Sequence, residues 1–237
     1  MSGREAFTVR ELVVSLVIFF CILLVGAVVM KRVEVLTEES RSLVHAKKII
    51  RGLSGFALNF DRNLPNVADF STHARTRQGK DRLADPAPLG FDTATDNFSA
   101  LIGSGFFAEK SVYYVAGEHF EPGRACPSPP QDWSIPLRSE EVGWNYVRGL
   151  TLDSPAKMPV ILTRNPARGT GLRWSSRGSD VGGRWQGRII VGYLDQSSEM
   201  IELDAEGVAR DSEGRDITVV HPNSPYIYNS EISILSP

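Results

Sequence analysis

The first sixty residues carry two hydrophobic patterns in succession. Leu12 to Met30 (LVVSLVIFFCILLVGAVVM) is an unbroken apolar run in which Ser15 is the one strongly polar side chain. As a helix rising 1.5 Å per residue it spans roughly 28 Å, close to the ~30 Å hydrocarbon thickness of a bilayer. A cleaved secretory signal has a shorter apolar region and a small-residue cleavage site. This run ends instead in Met30-Lys31-Arg32-Val33, so it is expected to be retained and to span. From Lys31 to Phe60 the pattern changes to one stripe, Leu36, Leu43, Ala46, Ile50, Leu53, Ala57 and Phe60, at spacings of three, four and seven. Such spacing predicts an amphipathic helix. Glu34, Glu38, Glu39, Arg41, Lys47 and Lys48 are expected to cover its remaining surface. No proline interrupts the stretch, so one helix is predicted over 7–60, on the order of 80 Å long. The turn residues Asn63-Leu64-Pro65-Asn66 end it. The stripe is expected to lie on the chain's own downstream domain; a coiled-coil dimer is the alternative, disfavoured by Gly52 and Gly55 inside three heptads.

From Asp61 to Pro237 Gly, Pro, Asn and Asp recur every eight to twelve residues, the punctuation of short strands and turns. A short helix is predicted within Asp96–Phe107, and strands at Ser111–Val115, Trp144–Leu152, Met158–Leu162 and Arg188–Leu194. Ser198–Leu203 pairs with the last of these through the turn Asp195-Gln196-Ser197. Ile217–Val220 and Tyr226–Leu235 either close the sheet or trail off it, and the proline-rich stretch Arg124–Pro136 reads as a surface loop. The fold class is α+β: a long N-terminal helix, transmembrane in its first half, packed on an antiparallel β-sheet head. The organisation expected is a leader over 1–6, the helix over 7–60 with its span at 12–30, and a β-rich head over 61–237.

Composition narrows the function. A net charge of −2 gives no global pull toward nucleic acid or anionic lipid. The two cysteines, Cys21 in the apolar run and Cys126 far beyond it, are not expected to pair and do not fix a redox compartment. His45, His73, His119 and His221 are scattered without metal-ligand spacing, and neither a G-x-S-x-G elbow nor a P-loop occurs. No enzyme chemistry and no cofactor is expected. Arg164 to Arg188 interleaves six arginines with Trp174 and Trp185. Such a stretch can offer phosphate contacts and stacking to a single strand, but a solvated loop explains it more simply, so nucleic acid is not expected as a partner.

At the head of the span, Phe7-Thr8-Val9-Arg10-Glu11 sets a carboxylate against an apolar run. A charge inside the bilayer costs roughly 2.5 to 3.5 kcal/mol on insertion scales and calls for a partner or an interfacial position. A short polar leader, a small residue, then Phe-Thr-x-x-Glu opening a long apolar helix resembles the N-terminal signature of the type IV pilin and pseudopilin family. The resemblance covers about the first 60 residues. Looser likenesses to pseudopilin heads lie in Trp144–Leu150, Met158–Leu162 and Trp185–Val191. It implies cleavage between Ala6 and Phe7 by a prepilin peptidase, methylation of the new amine, and pairing of Glu11 with the N-terminus of a neighbouring subunit. It implies partners in the inner membrane and in other pilin-like subunits, with the head outside the cytoplasm. It also implies a subunit of a type II secretion-like or type IV pilus-like filament, and admits a calcium ion in a late loop, for which Asp204, Glu206, Asp211 and Asp216 are weak candidates beside Asp-x-x-Gly turns. Two positions depart from the signature: Ala6 stands where glycine is usual and Arg10 where an aliphatic residue is usual. The charge count also runs the other way. Lys31, Arg32, Arg41, Lys47 and Lys48 outnumber Arg4 and Arg10, which on the positive-inside rule favours a cytosolic domain. The second reading is therefore a signal-anchored binding or sensing protein.

Overall fold

The computed structural model of the chain describes residues 9–65, 93–103, 105–106, 109–115, 137–164, 187–219, 226–228 and 232–236. A long helix, α1 (Val9–Asn59), is followed by a short one, α2 (Ala94–Gly103). Five strands follow: β1 (Trp144–Arg148), β2 (Pro159–Thr163), β3 (Arg188–Tyr193), β4 (Ser198–Glu202) and β5 (Ser233–Leu235). They form one antiparallel sheet in the order β4-β3-β2-β1-β5. The α+β class expected from the patterning is the observed one. The chain divides into two compact units, Met1–Ser40 and Arg41–Pro237, so the last third of α1 belongs to the head.

In the head, one side of α1 is built into the core. Ala46, Ile49, Ile50, Leu53, Phe56 and Ala57 are all buried. These are the i, i+3, i+4 and i+7 positions of a single helical face. The sheet has a row crossing all five strands, Leu235, Tyr146, Ile161, Gly192 and Ser198, each the cross-strand neighbour of the next, and α1 meets this row at its Gly192 and Ser198 end. Cross-strand partners point to one side of a sheet. Gly192 is the point of closest approach. A Cβ there would lie 2.5 Å from Ile50 Cδ1 and 2.9 Å from Ile161 Cγ1, so the isoleucine occupies the space of the missing side chain. Beside it the Ser198 hydroxyl donates to the Leu43 carbonyl at 3.4 Å. At the other end of the row the Phe98 ring of α2 sits 5.6 Å from Tyr146 and 4.9 Å from Tyr113, centroid to centroid. α2 starts where the sequence can cap it: the Thr93 hydroxyl accepts from the Asp96 N–H at 3.2 Å and donates to its carboxylate at 2.7 Å. That arrangement satisfies an amide left over at the helix start.

α1 ends at Asn59, and Asp61 and Arg62 follow in left-handed conformations, φ 48° and 65°. Two consecutive non-glycine residues in that region need support from their surroundings. Here the next residues are tied to the segment after β1. Arg62 makes a two-pronged bond to Asp153 (2.7 and 2.9 Å), the Leu64 N–H donates to the Leu150 carbonyl, and the Tyr146 hydroxyl donates to the Pro65 carbonyl at 2.8 Å.

Several expectations change. Ser111–Val115, predicted as a strand on its aromatic and β-branched content, is instead covered by a 3-10 turn at Lys110–Tyr113. Val112 and Tyr113 are both buried, and the Val112 carbonyl accepts from the Trp144 indole at 3.1 Å, so packing around Trp144 and Phe98 overrides local propensity. Among the described residues of Tyr226–Leu235, Ser233–Leu235 closes the sheet on β1, whereas Ile217 and Thr218 lie in a turn. Within the stripe Leu36 is 52% exposed, while Glu39, expected on the outer surface, is 6% exposed. Glu39 stands three and seven residues before the buried Ser42 and Ala46, which puts it on their side of the helix.

Candidate functional site: an apolar helix and paired acidic turns

The N-terminal unit offers one feature. α1 carries Glu11 in its first turn, where the unsatisfied N–H groups of a helix start favour a negative charge. Beyond it the apolar side chains of the run are exposed, Leu24 at 66% and Val28 at 69% among them, and no part of the most apolar window is buried. By length and composition this one helix can cross a membrane. A soluble surface of that size and apolarity demands cover by lipid or by another helix. Ala6 and Phe7, where the resemblance leads one to expect cleavage and methylation, lie outside the described residues, as do Cys126, Trp174, Trp185, His73, His119 and His221. Cys21 is exposed within the apolar run.

The acidic stretch of the head resolves into a repeated device. Asp204-Ala205-Glu206-Gly207-Val208 and Asp211-Ser212-Glu213-Gly214-Arg215 are two copies of one turn, seven residues apart. In each, the Asp backbone N–H donates to the carbonyl four residues on, and the Gly N–H donates back to the Asp carbonyl. Each glycine has φ 76°, the left-handed position that completes a type I turn with a following bulge. In each, the Asp carboxylate accepts two backbone N–H groups at 2.9 Å: Glu206 and Val208 on Asp204, Glu213 and Arg215 on Asp211. An arginine takes the second oxygen, Arg210 at 2.7 Å and Arg215 at 2.8 Å. Asp211 also accepts from the Tyr226 hydroxyl at 2.9 Å, and Asp216 accepts from the Thr218 N–H and hydroxyl.

The four calcium candidates therefore hold different posts. Asp204 and Asp211 are spent on their own turns, Asp216 on Thr218, and Glu206 stands exposed. Among the described residues no group of three or more His, Cys, Asp or Glu is placed to hold a metal ion. Hydrogen bonding governs the protonation of both turn aspartates. For Asp211, burial raises the pKa, but the Arg215 N–H and guanidinium, the Tyr226 hydroxyl and the Glu213 N–H outweigh it and hold the carboxyl below the ordinary range. A depressed carboxylate stabilises the fold above its unfolded pKa of about 3.9, and that contribution is lost as pH falls through the lower folded value. Asp211→Ala is accordingly expected to cost about 1–3 kcal/mol at neutral pH by stranding its donors. It should also flatten the acid limb of a stability-against-pH curve below about pH 4. Calorimetry across pH checks both, and an unchanged acid limb would remove Asp211 from the account.

A third group lies where α1 meets residues 109–115. Lys48 Nζ is 2.9 Å from Glu109 Oε2, and the Ser111 hydroxyl donates to the same carboxylate at 3.0 Å. These two hydrogen bonds hold Glu109 below the usual carboxylate pKa. His45, one turn before Lys48, is pushed below its ordinary value by burial, helped by Lys48 and Arg41, against the opposing pull of a bond to the Tyr114 backbone and of Glu109. The sequence reading placed Lys48 on the open surface and did not foresee this pairing, because Glu109 is 61 residues away. It read Asp-x-x-Gly turns in the acidic stretch but not their repetition, although a signal existed: Asp, Glu and Gly recur together at a spacing of seven.

No family model matches the chain, and no match to it is found among characterised proteins or solved structures.

Proposed function

We propose that this protein is a pseudopilin-like structural subunit: a membrane-anchored chain whose work is assembly into a type II secretion-like or type IV pilus-like filament, and not catalysis. The observation that carries this reading is α1 itself. It runs from Val9 to Asn59 with exposed apolar residues through the first stretch and core residues through the last. A cleaved signal has no use for a helix whose far end is the centre of a folded head. An ordinary anchor has no need of a carboxylate at the top of its apolar run. Glu11 is tolerable there when a cation meets it in the low-dielectric layer, and cleavage between Ala6 and Phe7 would create such a cation on a neighbouring subunit. In this reading the apolar stretch rests in the inner membrane until it packs against other subunits, and the head faces away from the cytoplasm.

The test is the mass of the N-terminal peptide from membranes of the native host. A chain beginning at N-methylated Phe7 is the expected result. A chain retaining Ala6 and the residues before it would end the prepilin reading. The second reading, a signal-anchored binding or sensing protein with a cytosolic head, is favoured by the cations Lys31 and Arg32 that follow the apolar run. A reporter fused at Pro237 separates the two by the compartment in which it is active.

A further inference from the structure

We infer that the outer face of α1 between Arg41 and Leu58 receives the paired acidic turns of a second copy of this chain. The inference deepens the assembly reading, and rests on it, by naming a surface through which heads would meet.

The helix face comes first. Opposite the buried Ala46, Ile50, Leu53 and Ala57, the helical repeat places Arg41, Val44, Lys47, Arg51 and Leu58 on one side, all exposed. From Ser40 to Phe60 the sequence has no Asp or Glu, so this stretch of the helix carries cations without carboxylates of its own, the nearest acids on the helix being Glu38 and Glu39 just before Arg41. The Lys48 ammonium is taken by Glu109. Among the described residues Arg41, Lys47 and Arg51 have no ion-pair partner. Val44 and Leu58, 52% and 71% exposed, add apolar surface to the same side.

The complementary surface is on the same head. Between Glu199 and Asp216 seven carboxylates stand against two arginines. Both arginines are already committed, Arg210 to Asp204 and Arg215 to Asp211 and Glu213. Glu202 and Glu206 are exposed and form no salt bridge among the described residues, although Glu202 lies across the sheet from Arg188 and Glu206 acts through space on Arg210. The turns that carry Glu206 and Glu213 are braced by their aspartates and by Tyr226, so these charges sit on a preformed support. Next to Tyr226 in the chain, Ile227 is 44% exposed. Among the described residues each surface thus combines an excess of one charge with exposed apolar area, and the charges are opposite. A lipid headgroup layer would account for the cations alone. A second copy accounts for both surfaces, and because the two patches are different the contact is head-to-tail and can propagate into an open filament.

The experiment uses the full chain in membranes of its native host, with a photo-crosslinking residue at Val44 and peptide mapping of the product. The expected product joins position 44 to the peptide containing Glu206 of another copy, with a yield that falls as salt rises. Arg51→Glu and Glu206→Arg should each lower that yield about tenfold, and the two together in one chain should restore it. A product mapping elsewhere, or a yield that either reversal leaves unchanged, or no rescue in the double variant, would overturn the inference. So would a yield that depends on anionic lipid and on Arg51 but ignores Glu206→Arg, which assigns the face to lipid headgroups. The N-terminal mass of the same samples keeps the two claims apart. Processed Phe7 without the crosslink removes this surface alone, whereas the charge-swap pattern in an unprocessed chain keeps the surface and removes the pilin-type reading.

Discussion

Trp144→Ala is expected to destabilise the head by about 3–5 kcal/mol, the range for truncating a large aromatic in a core. Trp144 has no exposed surface, and its indole N–H is bound to the Val112 carbonyl at 3.1 Å. Truncation therefore opens a cavity and leaves a buried acceptor without its donor, and the two costs add. The 3-10 turn at Lys110–Tyr113 is held on this side by Trp144 and by the neighbouring Gly143 N–H, which donates to the Tyr113 carbonyl at 2.9 Å, so losing the indole should loosen its aromatic packing on Phe98 only in part. Calorimetry of the full chain in detergent would read the loss directly. For a domain of this size 1 kcal/mol corresponds to about 2–4 °C in Tm, so a fall of about 6 °C or more is expected. Trp144→Phe should recover much of the volume but not the hydrogen bond, and so should fall between. A loss below about 1 kcal/mol for the alanine would mean that Trp144 is not part of a packed core.

Gly192→Val tests the junction between helix and sheet. Overpacking a core by a few methyl groups costs about 1–3 kcal/mol, sometimes more. The upper end is expected here, because even a Cβ would approach Ile50 Cδ1 to 2.5 Å and Ile161 Cγ1 to 2.9 Å. Ile161 is held in the central strand between β1 and β3, and Ile50 in a helix that the core surrounds on one face, so neither can retreat freely. The partner in the clash can be identified by a cycle. Gly192→Ala should be less damaging in an Ile50→Val background, which deletes the Cδ1 atom, than in the parent chain. A coupling of at least about 0.5 kcal/mol is expected for residues in such contact. Additive costs would mean that the helix does not rest on β3 at this point. The outcome bears on the proposed function too. An α1 whose last third can lift off the sheet is an anchor with a tethered domain, whereas one locked at Gly192 has its last third as part of the head's own core.

The helix could be read in the sequence because its signals are local. Leu12–Met30 is recognisable by length and polarity alone, and Ala46, Ile50, Leu53 and Ala57 by a spacing that only a helix makes one-sided. The hairpin of β3 and β4 was legible for the same reason, with Asp195, Gln196 and Ser197 supplying the turn and Gln196 taking the positive φ of 66°. The repeat of Asp204 and Asp211 was open to inspection as spacing, and its geometry follows from the preference of Gly207 and Gly214 for left-handed backbone. What the sequence by itself determined is thus the class of the protein: a long helix apolar enough to span, followed by a sheet with tight turns.

Tertiary structure decided everything that joins distant positions. Nothing near Ser111–Val115 says that its aromatic content will be used in a 3-10 turn, since the reason is Trp144, some thirty residues later. Nothing near Lys48 shows that it meets Glu109, or near Arg62 that it meets Asp153. The same holds for the outer face of α1: Arg41, Lys47 and Arg51 became a candidate surface only once the fold had assigned Lys48 a partner and left those three in solvent. The physical reason is common to all of these. Helix periodicity and turn chemistry are set by residues within about four positions of one another, whereas packing and ion pairing depend on which elements the collapsed chain brings together, and that choice minimises the free energy of the whole head and of no single segment.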